Sequence, residues 1–284
     1  MERNRKVYRR MIICVSLLMI GMTGCIKEKG SDSLYELAMT IVDTDSLREA
    51  VVYLFDEKGN YTGQMSVDKE MIAGGIPFRI PQLKTGVTAV VWGNTQGGRE
   101  EVNLGNTLGS SSIRLLENVG SVVSPDDLFF GTRTLLFNGC DGTDWVSLRR
   151  SVAALSITAY HLEELTSVDG SDFSYTIRSV GRGLDFAGKL IGGDVVYHPV
   201  TEWAEDGSLN APFFILLPPG DAGLAVDIYK GTERLFASDT TDVQLRLDAG
   251  QRMRLKIDFK KLITEGIQEY VFISVEPWGM NDVH

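Results

Sequence analysis

Arg252-Met253-Arg254-Leu255-Lys256-Ile257-Asp258-Phe259 carries the cleanest alternation in the chain. Met253, Leu255, Ile257 and Phe259 fall on one side; Arg252, Arg254, Lys256 and Asp258 fall on the other. A period of two is the signature of a strand, with one face in a core and the other in water. The same pattern recurs on either side. Downstream, Lys260–Gly266 reads as one helical turn, and Tyr270–Val275 as the last strand before Pro277-Trp278. Upstream, Val243, Leu245 and Leu247 lead into a turn at Asp248-Ala249-Gly250. Leu224, Val226 and Ile228 alternate, as do Phe173, Tyr175 and Ile177. Phe213–Leu217 runs into the turn Pro218-Pro219-Gly220-Asp221, and Ser151–Tyr160 is a further strand.

The first half has the same character. Leu37, Met39 and Ile41 alternate with smaller or more polar neighbours. Ala50–Asp56 is apolar on both faces, which suits an interior strand. Asp56-Glu57-Lys58-Gly59-Asn60 turns the chain back through Tyr61–Met65. Ile76–Ile80, with Pro77 and Pro81, reads as an edge strand or a strand end, and Val87–Trp92 as a further strand. Ser124-Pro125-Asp126-Asp127 carries helix-start residues, with Gly131 limiting the helix to a short one. No stretch sustains a helical period, so the sequence predicts an all-β fold of two tandem antiparallel sandwiches. Their junction is expected in Asn138–Asp144, giving domains 34–144 and 145–284.

The N-terminus decides location. Arg3, Arg5, Lys6, Arg9 and Arg10 precede an apolar run over Met11–Met22, too short to span a bilayer at ~20 residues per helix. Met22-Thr23-Gly24-Cys25 looks like the lipobox of bacterial lipoproteins, so residues 1–24 are expected to be a signal peptide. The Cys25 thiol is the expected lipidation site, since a thiolate is the nucleophile that lipid transfer needs. Several acyl chains, palmitate among them, make an anchor that one alone does not. Residues 25–33 then form a polar lipidated tether. Ile26, not Asp, follows the cysteine, which permits delivery to the outer membrane.

The whole chain of 284 residues has a net charge of −10 and a pI near 4.9. Its basic cluster leaves with the signal, which argues against nucleic acid as a partner. Cys14 leaves too and Cys25 takes lipid; Cys140 then stands alone, and no internal disulfide can form.

The motifs that carry chemistry fail on inspection. Gly183–Leu190 resembles a phosphate loop but has Leu190 where Ser or Thr belongs. Ser66-Val67-Asp68-Lys69 and Lys84-Thr85-Gly86 fit two penicillin-binding motifs but lie too close together. His161, His198 and His284 have no metal spacing, and H-E-x-x-H and G-x-S-x-G are absent. Asp141 and Asp144 are too few for calcium, and Glu205-Asp206 reads as a solvated turn. The expectation is no catalytic residue, no metal, no cofactor and no enzyme. Tyr53, Phe55, Trp92, Phe129, Phe130, Trp145 and Trp278 are the aromatic candidates for binding, with packing as the default role.

The order of several motifs resembles the FimB-type fimbrial anchor subunits. Val52–Asp56 with Gly59-Asn60, then Leu83–Gly86 leading to Val90–Asn94, is similar to their first domain. Asp127–Gly131 is similar to the segment closing it. Val146–Val152, Leu216–Pro219 and the ending Val275–Trp278 are similar to their second. The resemblance implies two transthyretin-like sandwiches and a lipoprotein of the outer membrane, displayed at the surface. It implies a role in holding the base of a fimbrium and limiting its length, with a fimbrial stalk subunit as partner. It also implies assembly by strand pairing, and Cys25 as the one residue with a defined chemical role. The alternatives are a surface glycan-binding lipoprotein, with Trp278 as platform, or an adhesin tip component.

Overall fold

The structure, a computed structural model, describes residues 35–41, 43–80, 86–136, 142–162, 172–241, 243–262 and 266–278, with backbone alone at 260–262 and 266–269. The signal, the tether, Cys25, Cys140, Asp141, Lys84-Thr85 and His284 lie outside the described residues. The first half holds β1 (Tyr35–Ile41), β2 (Glu49–Asp56), β3 (Tyr61–Asp68), α1 (Lys69–Ala73), β4 (Phe78–Arg79), β5 (Val87–Gly93) and β6 (Glu100–Asn103). It continues with β7 (Ser112–Leu115), β8 (Glu117–Asn118), β9 (Ser121–Val122), β10 (Phe129–Leu135) and β11 (Gly142–Arg150). The second half holds β12 (Ala153–Tyr160), β13 (Phe173–Val180), β14 (Gly183–Asp185), β15 (Leu190–Ile191), β16 (Asp194–Tyr197) and β17 (Glu202–Trp203). It ends with β18 (Leu209–Leu216), β19 (Ala225–Lys230), β20 (Glu233–Ala237), β21 (Gln251–Leu262) and β22 (Gly266–Pro277).

Among the described residues, the first half is built on a seven-stranded sheet ordered β3-β2-β5-β10-β11-β1-β4. β2 lies between β3 and β5, and its six residues from Ala50 to Phe55 are all buried. One face carries Ala50, Val52, Leu54, Val91 and Phe129, packed with Leu37, Val146 and Leu148. Helix α1 joins this core through Ile72 and is capped by Asp68, whose carboxylate accepts from the Met71 amide. The other face carries Val51, Tyr53, Phe55, Val90 and Trp92.

That second face is completed from across the chain. A four-stranded sheet, β15-β14-β7-β6, mixes strands of both halves. Gly183, Leu184 and Asp185 of β14 pair with Arg114, Ile113 and Ser112 of β7. A Cβ on Gly183 would fall 2.2 Å from the Ile113 carbonyl oxygen, so the approach demands glycine. Phe186 then packs against Tyr53 at 4.9 Å between ring centroids and against Phe55 at 6.0 Å. The second half supplies a five-stranded sheet, β17-β18-β12-β21-β22, and a four-stranded one, β16-β13-β19-β20. Leu155, Ile157, Leu255 and Ile257 belong with Tyr175, Ile177, Val226 and Ile228 to the core, which also contains Trp92.

Several expectations change. The strands are not all antiparallel: β1 runs parallel to β11, and β12 parallel to β21. Alternation reports a strand's faces and is silent on the direction of a distant neighbour. A shared sheet and a shared core join the two halves. β11 crosses the expected boundary at 144/145 and pairs with β10 and β1; the chain leaves the first sheet only after Arg150. Ser124–Asp127 starts no helix. The residues after it enter β10, and Gly131 lies within that strand, where a Cβ would meet the Ser147 carbonyl oxygen at 2.7 Å. Lys260–Gly266 makes no described helical turn: β21 runs to Leu262 and β22 resumes at Gly266. Leu245 forms an isolated bridge with Leu224 where the alternation predicts a strand.

Candidate assembly edge and the ionic knot at its end

β22 closes the five-stranded sheet. It pairs residue for residue with β21, from Leu262 opposite Gly266 to Gln251 opposite Pro277, with no break in register. Among the described residues no strand pairs with its other side. Opposed residues share a face, so Val271, Ile273 and Val275 lie beside Ile257, Leu255 and Met253 on the core side. Those three β21 residues are fully buried, yet Ile273 is 39% and Val275 45% exposed. The opposite sheet ends at β20, whose Phe236 packs on Phe259 of β21 at 5.6 Å. β22 therefore overhangs its own sandwich. On the outer face Phe272 is 57% exposed.

Edge strands are ordinarily short, charged or bulged, because an open ladder templates pairing with another chain. β4, β15 and β17 have two residues each. β3 is longer, but its pairing with β2 slips between Leu54 and Phe55, and it exposes Thr62, Gln64 and Ser66. β22 has none of these defences along Tyr270–Val275.

The free end of β22 is fastened by Arg150. Val146, Leu148 and Arg150 point inward from β11, so the last inward position is a cation with 4% of its side chain exposed. Its Nε donates to Asp127 Oδ1 at 2.6 Å and its Nη2 to Asp127 Oδ2 at 2.7 Å. Nη2 also donates to Asp43 Oδ2 at 2.8 Å, and Nη1 to the Trp278 carbonyl at 3.2 Å. The guanidinium lies 4.0 Å from the Trp278 ring centroid and 4.9 Å from that of Phe129. The Trp278 amide donates to the Gly250 carbonyl at 2.6 Å. Burial works against the Arg150 charge, but the two aspartates outweigh it and hold its pKa above the ordinary value. Burial also opposes the Asp43 charge, yet hydrogen bonds from Arg150 and Ser46 hold that carboxyl below its usual range.

Asp126 faces the other way. Its Oδ1 accepts from Arg48 Nη2 at 2.8 Å, and its amide donates to Glu100 Oε2 at 3.2 Å. Burial pushes the Glu100 carboxyl up to about 7; its bond from the Asp126 amide opposes the shift, and the Asp126 charge adds to it. Asn94, at φ 63°, ties the surroundings together. It accepts from the Arg48 amide and donates to the carbonyls of Ser46 and Asp127. The acids expected to begin a helix instead distribute their charge between two cations.

Of the aromatic candidates, Tyr53, Phe55, Trp92 and Phe129 are core. Phe130 is half-buried against Trp92 at 4.7 Å. Trp145 is exposed, and Trp278 is engaged by Arg150. Asp144 holds Arg133 and the Tyr35 hydroxyl. His161 meets Asp258 at 2.7 Å, and Asp206 accepts from Ser208. Gly183–Leu190 forms the β14–β15 hairpin. The residues that sequence reading missed are Arg150, Asp127 and Asp43. The available signal was a cation at an inward position of a period-two strand.

Residues 38–284 match the family model of the fimbrillin-A associated anchor proteins Mfa1 and Mfa2. The chain belongs to this family. It is 27% identical to the major fimbrium anchoring subunit FimB of Porphyromonas gingivalis, over 96% of both chains. Its fold is similar to that of the fimbrial anchor protein Mfa2 from Porphyromonas gingivalis, with a TM-score of 0.63 and 14% identity over 86% of this chain and 98% of that one.

Proposed function

We propose that this chain is an anchoring subunit of a fimbrium at the outer-membrane surface, and that it grips the fimbrium's first subunit by strand pairing along β22. The role is structural, not enzymatic. The observation that carries the mechanism is the long, unbroken edge of β22, with Phe272, Ile273 and Val275 uncovered on its two faces. An incoming extended segment would gain backbone hydrogen bonds from the ladder and bury alternate side chains against the overhang. The partner is a fimbrial subunit, and we take it to be of the stalk type. Residues 25–33 serve as the tether and lipid on Cys25 as the membrane hold, after removal of residues 1–24. The body divides into two intergrown units, with the change of sheet at Ser151-Val152.

Cys25→Ala and Phe272→Asp separate the two attachments. Immunoblots of cell and medium fractions should show Cys25→Ala releasing fimbriae together with the anchor. Phe272→Asp should release fimbriae while the anchor stays with the cells. Cell-bound fimbriae of normal length in both strains would contradict the proposal.

A further inference from the structure

We infer that Arg150 is the positioning residue of the β22 edge: by clamping Trp278 it keeps β22 seated on β21 as a fixed template. This rests on the reading of β22 as the assembly edge and adds what controls it. The long neighbour, β21, is held by side-chain burial: Met253, Leu255, Ile257 and Phe259 are each at most 1% exposed. Over Tyr270–Pro277, β22 has no such hold. None of these residues is buried, and Val271 alone among their apolar side chains joins the core from its margin. Its ladder to β21, the ion pairs of Glu276 with Arg252 and Arg254 at 3.2 and 3.3 Å, and its end are what keep it in place. At that end three contacts converge on Trp278: the Gly250 carbonyl, the Arg150 Nη1 donor and the stacked guanidinium.

The clamp is one-sided. Arg150 keeps its two aspartates whether or not Trp278 is present, so loss of the indole strands no buried charge. Loss of Arg150 itself would strand Asp127 and Asp43, which is why Arg150→Ala is a poor test. Trp278→Ala and Arg150→Lys are the informative changes. Lysine keeps the charge near the aspartates and loses the planar face and the fork.

Hydrogen exchange followed by mass spectrometry on the purified full chain reads the outcome. Trp278→Ala should speed exchange of the β22 amides that pair with β21 on the order of tenfold, the scale of a desolvated cation–π contact. Exchange in β5 and β12 should stay as in the parent. Arg150→Lys should do the same, the double variant should add nothing further in β22, and Trp278→Phe should restore most of the protection. Unchanged protection of β22 in Trp278→Ala would overturn the clamp. Equal loosening of β5, β12 and β22 would overturn it too, since the knot would then be a general staple. Exchange alone decides the clamp; retention of fimbriae on cells decides the assembly reading separately.

Discussion

β2 and β22 are written in nearly the same letters and live in opposite surroundings. Ala50-Val51-Val52-Tyr53-Leu54-Phe55 and Tyr270-Val271-Phe272-Ile273-Ser274-Val275 are both apolar on both faces. β2 has a strand on each side and a core on each face. Among the described residues β22 has a strand on one side and leaves Phe272, Ile273 and Val275 partly exposed. An apolar strand is thus a demand for cover, and the chain meets that demand from within for β2. For β22, the described residues leave that demand unmet.

Charge introduced into each strand should break the symmetry most sharply. Val52→Asp places a carboxylate where no water reaches and should cost ~4 kcal/mol or more in urea denaturation, enough to abolish folding. Phe272→Asp should cost under ~1 kcal/mol, because the ring is already largely in water. Comparable losses at the two positions would contradict the contrast.

Between these extremes lies the knot that joins the strand's end to the first sheet. Arg150→Ala removes one partner from a buried ionic cluster and should cost ~3–5 kcal/mol. Glu100→Gln should act in the opposite direction. Glu100 in the folded chain holds its proton up to about 7, against an ordinary value of 4.5. The folded state binds that proton more tightly, so this contribution to stability is present below 4.5 and is lost as pH rises through about 7. The glutamine variant should match its parent near pH 4.5 and exceed it at pH 8 by ~1–3 kcal/mol in denaturant titrations. A variant less stable than its parent at pH 8 would show that the Asp126 amide stabilises the carboxylate more than burial penalises it.

Much of this was legible beforehand, for physical reasons. Alternation in β13 and β21, the Gly59 turn at φ 79° and the interior character of β2 are local consequences of pattern. Strand direction was not legible, because the parallel partners β1 and β11 are set by a return of the chain over a hundred residues later. Intergrowth was hidden for the same reason: nothing near Phe186 announces that it fills a gap between Tyr53 and Phe55. Asp126-Asp127 misled because carboxylates suit a helix start and a distant arginine equally well, and only the fold supplies the arginine. β22 was recognised as a strand, while its lack of cover depends on where β20 ends.

The most direct test of the account is the fate of the fimbriae in cells whose anchor carries Phe272→Asp together with Ile273→Asp. The account predicts an anchor that is folded, present in the outer-membrane fraction at the parental level, and bare, with fimbriae recovered from the medium. Fimbriae that remain attached at parental length on such an anchor would contradict it.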